Sequence, residues 1–403
     1  MDDRAYWIWL SLCFSYGSGK PQQLAEAEDI ISIYENRETI CESVDYLMPR
    51  DGDRLRKISL ERAHLILERC DELGVRVVPI SDPGYPEKLR HVYGAPLVLY
   101  VQGNISYLND TPAITVVGTR EASDYGKSVT GNLSYQLALA GAVVVSGCAV
   151  GIDEYAHRGA LKAGGRTVGV LGCGHDIDYP AKNKRLKQEI LNRGGALIGE
   201  LPPGTSVNGK YFPVRNRIMA GLANGVLVTE APVKSGALIT ARLANDLDRD
   251  VFCVPPYNIY DTRYTGVVPL LREGAKAVFD VTDILEEYTV QYEGRLDLGR
   301  LERPAITVTG GGPELKVASE SVYRSSQKTV PKGADVPREK PPAPHGLTEK
   351  QKALYEILTV EPIHADDLAR EVGWEIYEIL SVLTELELLE LVTAHSGRRY
   401  SLA

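Results

Sequence analysis

The chain has 403 residues, of which 44% are hydrophobic and 25% charged, and a formal net charge of −9. That make-up is ordinary for a globular protein of two or three domains with a large core. The acidic balance excludes a protein that coats nucleic acid with its whole surface, though not one with a local basic site.

The chain opens with Asp2, Asp3 and Arg4 before an apolar run from Ala5 to Phe14. This lacks the basic start and cleavage site of a signal peptide, and no stretch approaches the length of a membrane span, so a cytoplasmic protein without membrane contact is expected. Cys13, Cys41, Cys70, Cys148, Cys173 and Cys253 form no C-x-x-C pair. Their wide spacing suits neither a zinc site nor a disulfide framework, and reduced buried thiols are expected.

Residues 1–80 read as a domain of short helices. Gly17-Ser18-Gly19 interrupts the first apolar run, Pro21 opens the next helix, and Ile58 to Leu73 has helical spacing. Residues 81–288 alternate short β runs with helical stretches. The strands read as Ile114–Val117, Ala142–Ser146, Thr167–Leu171, Ala196–Ile198, Val226–Thr229, Val251–Val254 and Ala277–Phe279. Continuous β-branched runs such as Val143-Val144-Val145 suit strands buried on both faces, and the alternation predicts an α/β class, a Rossmann-like doubly wound core. Residues 289–346 lose periodicity, end in Pro341-Pro342-Ala343-Pro344, and read as a flexible linker. Residues 347–403 hold three helical stretches, near 349–358, 364–371 and 374–389, then a strand pair turning at Ser396-Gly397. That order predicts a C-terminal winged helix.

Ligands of open α/β sheets bind beyond the carboxyl ends of the strands. Here those ends read Gly118-Thr119-Arg120, Ser146-Gly147-Cys148-Ala149-Val150-Gly151-Ile152-Asp153, Gly172-Cys173-Gly174 and, after the fifth strand, Ser235-Gly236. One glycine after a strand is most often a tight turn. Four such loops at one edge point to an anion site, because glycine admits close backbone approach and the following helix offers free N–H groups. Asp153 reads as a helix N-cap, and His157 as a packed residue, since no second metal ligand has suitable spacing.

Charge marks the same edge. Between 181 and 220 stand Lys182, Lys184, Arg185, Lys187, Arg193, Lys210, Arg215 and Arg217, opposed by Glu189 and Glu200 alone. A solvated helix face accounts for Lys182 to Lys187. It accounts less well for Arg215 and Arg217, which sit among Phe212, Pro213, Ile218 and Met219. Tyr179, Tyr211 and Phe212 are interspersed, and aromatic rings beside a cationic groove stack the bases of a single strand without sequence choice. Core packing is the plainer reading for each ring.

Enzyme motifs fail in turn. Tyr125-Gly126-Lys127-Ser128 resembles the end of a P-loop, but Glu121 stands where its first glycine belongs. No G-x-G-x-x-G follows the first strand, and no catalytic or metal set stands out. Neither catalysis nor a cofactor is expected. Thr229-Glu230 ends a strand and is a candidate to hold a ribose or a base.

Beyond these readings, the chain resembles the DNA-processing protein A (DprA/Smf) family over nearly its whole length. The strings that carry the resemblance are Asp82-Pro83-Gly84-Tyr85-Pro86, Val117-Gly118-Thr119-Arg120, Ser146 to Asp153, Ala156-His157-Arg158-Gly159-Ala160-Leu161, Phe212-Pro213-Val214-Arg215-Asn216-Arg217-Ile218, Ser235-Gly236-Ala237-Leu238-Ile239-Thr240-Ala241-Arg242 and Glu273-Gly274-Ala275. The resemblance implies a helical N-terminal domain (SAM or helix-hairpin-helix-like), a Rossmann-like core and a winged helix. It implies a homodimer that binds single-stranded DNA without sequence preference, protects incoming DNA and loads a RecA-type recombinase in the natural transformation of cells in the state of competence. The family's arginine of the first glycine loop falls on Arg120, and its basic and aromatic positions on Lys210, Phe212, Arg215 and Arg217. Together with the loops and charges above, the expected phosphate-binding set is Gly118, Thr119, Arg120, Ser146, Gly147, Gly151, Lys182, Lys184, Lys210, Phe212, Arg215, Asn216, Arg217, Ser235 and Gly236. Val150 stands where the family commonly has arginine, and Gly266-Val267-Val268 where it usually has Gly-x-Asn.

The winged helix departs from a DNA-binding reading. Residues 347–403 hold five basic residues, Lys350, Lys352, Arg370, Arg398 and Arg399, against eleven acidic ones. The presumed recognition helix, 374–389, carries Glu375, Glu378, Glu385 and Glu387 and no cation. Phosphate contacts dominate DNA affinity, so protein contact or regulation is expected of this domain. The alternative for the whole chain is an enzyme, a Rossmann-like nucleotide phosphoribohydrolase of the lysine-decarboxylase-like class. Against it, Glu230 follows Thr229 directly, and the Thr-x-x-Glu motif of that class is missing.

Overall fold

A computed structural model describes residues 2–302, 344 and 347–402, apart from 375, 390 and 396–398. It divides into two compact units, one ending near 307 and one formed by the remainder.

The first unit is built on a nine-stranded sheet. Its strands are β1 (Arg76–Pro79), β2 (Val98–Gly103), β3 (Ala113–Val117), β4 (Val143–Ser146), β5 (Thr167–Val170), β6 (Ala196–Gly199), β7 (Gly225–Val228), β8 (Asp250–Cys253) and β9 (Lys276–Ala277), in spatial order β1-β2-β6-β5-β4-β3-β7-β8-β9. Strands β3 to β9 are parallel, and the seven strands expected from the sequence are these. The sequence reading missed β1 and β2, an antiparallel pair added to the β6 edge. Both carry local strand signals, Val77-Val78 in β1 and Val98-Leu99-Tyr100-Val101 in β2; what no local pattern announces is the pairing of β2 with β6, about a hundred residues away.

Period-two alternation distributes the core. Ile114 and Val116 of β3 face Leu133, Leu137, Ile152 and Ala156, from the Asp124–Leu139 and Ile152–Lys162 helices. Ala113 and Val117 face Ile218, Met219, Ala237 and Leu238, from the Tyr211–Leu222 and Gly236–Asp246 helices. Buried on both sides, the strands must be apolar throughout, as the Val143 to Val145 run is. After β6 the chain crosses to the far side of β3 to form β7, so a crevice opens at the carboxyl ends of β3 and β7.

The short N-terminal helices build a separate core around Trp9, Ile8, Leu10 and Leu55, closed by Val77, Val98 and Tyr100 of β1 and β2. The Trp9 indole N–H donates to the Ile58 carbonyl at 2.9 Å, which satisfies the single polar atom of a fully buried ring. Ser59 caps the Leu60–Glu72 helix through the Arg62 amide.

Past the sheet, Tyr292 is buried, and Leu296, Leu298 and Leu301 pack on the core of the first unit. The expected linker, 289–346, overlaps this packed tail over 289–302; its remainder lies almost wholly outside the described residues. The second unit has helices at Glu349–Ile357, Ala365–Val372 and Ile376–Leu388, and strands β10 (Ile363–His364), β11 (Val392–His395) and β12 (Arg399–Leu402) in the order β10-β12-β11. Its core includes Leu354, Leu358, Leu368, Ile379, Leu383 and Leu386. A capping box of Thr348 and Gln351 starts its first helix. The expected three helices and strand pair are present, joined by the short β10.

Candidate nucleic-acid interface

The crevice between β3 and β7 is a cleft of about 420 Å³. Of the expected residues, Gly118, Thr119, Arg120, Phe212, Arg215, Asn216, Ser235 and Gly236 line it. A smaller pocket beside it, walled by Gly147, Tyr179 and Phe212, shares Arg120 and Arg215.

Glycine is required where the walls meet. A Cβ on Gly118 would lie 2.5 Å from Ile152 Cγ1, and one on Gly147 would lie 2.1 Å from the Arg215 guanidinium. Gly151 has φ near +80°, and its Cα faces the Thr119 and Arg120 carbonyls. The first loop is tied on both sides: the Thr119 amide donates to the Glu230 carbonyl at 2.6 Å, and the Ile152 amide donates to the Thr119 carbonyl at 3.1 Å. Ser235 caps the Gly236–Asp246 helix by accepting from the Ala237 amide at 3.2 Å, while Gly236 faces open space. This leaves a helix N-terminus at the cleft, where backbone N–H groups favour an anion.

The cations differ sharply in their surroundings. Arg120 is exposed, with its guanidinium carbon 5.5 Å from the centre of the Phe212 ring. The Phe212 ring in turn lies 5.6 Å from that of Tyr179, so a cation and two aromatic rings sit together at the mouth. Arg215 is buried on the floor. It donates to the Val170 carbonyl at 2.5 Å, and its Nε has no protein partner. Burial pushes its pKa below the ordinary guanidinium value, against the pull of Asp153, yet an arginine keeps its charge. A buried cation with an unused donor at a cleft floor attracts an anion. Asn216 donates to the Gly236 carbonyl at 3.1 Å and ties the middle of the Tyr211–Leu222 helix to the start of the Gly236–Asp246 helix.

Other expected residues serve different ends. Arg217 is 8% exposed and does not line the cleft. Its guanidinium donates to Glu200 at 2.5 Å, to the Gly94 carbonyl at 2.9 Å and to the Val214 carbonyl at 3.1 Å. This cation holds the Tyr211–Leu222 helix to the loop before β2, and its donors are occupied. Ser146 is fully buried and donates to the Val116 carbonyl at 2.7 Å, so it is part of the sheet. Gly151 shapes the loop from behind. Lys182, Lys184 and Lys210 are exposed outside the cleft lining. Lys182 lies 3.7 Å from the buried Glu154, which Arg158 also holds, and Lys184 lies 2.8 Å from Asp178, a surface pair that costs little to exchange for a phosphate. Lys210 precedes the Tyr211–Leu222 helix and forms no ion pair among the described residues.

Asp153 is not the N-cap that the sequence suggests; Gly151 occupies that position. From the first turn its carboxylate accepts from the Gly147 amide at 3.1 Å and the Ala149 amide at 3.3 Å, stapling the glycine loop. Burial raises its pKa, while Arg215 and the two amides oppose the rise. His157 is packed as expected, its ring nitrogens 2.8 Å from Thr167 Oγ1 and 3.5 Å from Cys148 Sγ. Burial holds its pKa down at about 3 and pushes the Cys148 thiol up to about 12. Thr229 bonds Thr130 at 2.9 Å, and the Glu230 carboxylate accepts from the Ser123 amide at 2.9 Å. Neither lines the cleft; Thr229 ties the end of β7 to the Asp124–Leu139 helix, and Glu230 anchors the first loop and the Ser123 cap. Lys234, an exposed lining cation, escaped the sequence reading. Its signal was its place directly before the Ser235 cap.

The second unit presents the opposite charge. Lys350 bonds Glu378 at 3.1 Å, and Gln351 bonds Glu385 at 2.8 Å. Glu375 and Arg398 lie outside the described residues. Among the described residues, no group of His, Cys, Asp and Glu is suited to a metal, and no helix is long and apolar enough to cross a membrane.

A Rossmann-like domain with a cationic, glycine-walled cleft at its switch point, followed by a winged helix, defines the class of this protein. The chain belongs to the DNA recombination-mediator protein A family, whose model matches residues 76–289; a DprA winged helix domain matches 338–398. It is 34% identical to Protein Smf of Synechocystis over 343 residues, 83% of this chain and 82% of that protein. It is 39% identical to the DNA processing protein DprA of Bacillus subtilis over 230 residues, 56% of this chain and 77% of that protein. The X-ray structure of DNA processing protein A (DprA) from Streptococcus pneumoniae is similar at a TM-score of 0.54 and 33% identity, over 64% of this chain and 96% of that one. The family is one of DNA-processing proteins.

Proposed function

We propose that this protein binds single-stranded DNA in the β3–β7 cleft without base preference and carries out no chemistry on it. The observation that carries this reading is the mouth of the cleft. There exposed Arg120 lies against Phe212, beside Tyr179 and above the buried Arg215. Cations hold phosphates, and rings stack on bases of any identity. A duplex keeps its bases stacked inside and offers no face to Phe212, so the arrangement favours a single strand.

The family supports the biological setting. In natural transformation, a cytoplasmic homodimer protects incoming DNA and passes it to a RecA-type recombinase. The acidic winged helix then serves protein contact or regulation. A salt series with single-stranded DNA, duplex DNA and RNA tests the core of this reading. Single-stranded DNA is expected to bind tightest, with a steep logarithmic dependence on salt. Preference for duplex, or release of a free base from nucleoside monophosphates, would overturn it.

A further inference from the structure

Cations that the cleft does not use follow the outer face of the Ile152–Lys162 helix. This helix starts at the cleft and runs back, antiparallel to the strands, to the opposite edge of the sheet. Exposed Arg158 and Lys162 stand four residues apart, and Arg166 continues that spacing just past the helix end. Arg193, the residue that caps the end of the Lys184–Asn192 helix, joins Arg158 and Lys162 around a shallow groove of about 340 Å³, with Glu189 as its acidic member. At the far edge Arg166, Arg295 and Arg300 converge on a basin of about 400 Å³, walled by backbone at Gly141, Gly164 and Gly165.

The bland readings account for part of this. A solvated helix face carries pairs, and here Glu154 holds Arg158 at 3.0 Å and Lys182 at 3.7 Å, while Glu189 lies 3.9 Å from Arg193. A cation near a helix C-terminus offsets its dipole, which suits Lys162 and Arg166. Neither accounts for Arg295 and Arg300. They come from the tail beyond the sheet and meet Arg166 in one basin. Lys162, Arg166, Arg295 and Arg300 form no ion pair among the described residues; Lys162 and Arg166 lie instead over the rings of Tyr135 and Tyr107. In a chain of net charge −9, a line of cations in which Lys162, Arg166, Arg295 and Arg300 lack acidic partners among the described residues is an anion track.

We propose that this track is a second nucleic-acid contact. The backbone of a single strand leaving the cleft past Lys182 follows Arg158 and Lys162 to the Arg166–Arg295–Arg300 basin. The four-residue step is a rise of roughly 6 Å, on the order of the distance between successive phosphates in an extended strand. The inference rests on the cleft binding single-stranded DNA.

The test uses the full chain and two oligothymidylates, one of about 6 nucleotides that fills the cleft and one of about 25 that spans the track as well. In the Lys162→Glu, Arg166→Glu, Arg295→Glu triple variant, the short oligonucleotide is expected to bind as before. The long one is expected to bind about tenfold or more weakly, with its salt slope reduced by about two. A triple glutamine variant gives the same pattern at smaller size and replaces the first if charge reversal unfolds the chain, as thermal unfolding would show. Unchanged affinity and slope for the long oligonucleotide overturn the track. An equal loss for both lengths also overturns it, because the cations then act only through the general field. If the unaltered chain binds neither oligonucleotide, the cleft reading itself fails.

Discussion

The β3–β7 cleft and the winged helix both have shapes used to hold nucleic acid, and their charges are opposed. At the cleft, Arg120 and Lys234 are exposed and Arg215 lies below them with an unused donor. In the winged helix, Lys350 is tied to Glu378, and the helix that would enter a groove is acidic. Shape alone therefore does not distinguish the two regions as anion sites; the supply of unpaired cations does. The same distinction separates Arg120 from Arg217 within the first unit. Both are arginines in family strings, but one faces solvent and the other is consumed by Glu200 and two carbonyls.

The largest effect expected from this contrast is on binding. Arg120→Glu combined with Lys210→Glu should lower single-strand affinity by about a thousandfold, with thermal unfolding unchanged; anisotropy at low salt reads the first and calorimetry the second. Arg217→Ala should do the reverse. It leaves Glu200 buried without its partner and should cost about 3 kcal/mol of stability in urea unfolding, while the folded fraction binds DNA normally. A selective loss of DNA affinity in that variant would return Arg217 to the interface.

Gly147→Ala tests the wall between the two pockets. The added methyl meets the Arg215 guanidinium and should cost about 2 kcal/mol, visible as a lower urea midpoint. Acid should act through His157. Its folded pKa lies near 3, below the ordinary value of 6.5, so the unfolded chain takes up the proton first. Stability present above about pH 6.5 is then lost progressively as pH falls toward 3, by about 2 kcal/mol at pH 5. His157→Gln should remove that part of the slope in urea melts taken from pH 7 to 5. The smallest effect belongs to the winged helix: a chain ending at residue 346 should bind single strands within about twofold of the full chain. A larger loss would mean that its few cations contribute after all.

Much of the fold and part of the site can be read from residues in order. Seven parallel strands announce themselves because burial on both faces demands apolar runs, and the glycine loops because only glycine fits where backbone meets backbone. Gly151 is legible for that reason, and Gly118 and Gly147 because a side chain, Ile152 or Arg215, fills the space of a Cβ. The apolar runs of β1 and β2 are visible as well, but their place in the sheet is not, since β2 pairs with β6 far along the chain. Asp153 shows the limit at the site. Its position reads as a cap, yet its carboxylate turns back to staple the loop before it.

The sequence by itself determined the architecture, the glycine-rich edge, the local excess of cations in an acidic chain and the acidic winged helix, because composition and periodicity are local properties. Only the tertiary structure decided which cation does what. A guanidinium is an anion site when its donors are free and a brace when they are taken. That depends on Glu200, Gly94, Val170 and Phe212, residues brought to Arg217, Arg215 and Arg120 by packing and not by proximity in the chain. The same holds for the basic track, where Arg166 and Arg295 meet across more than a hundred residues.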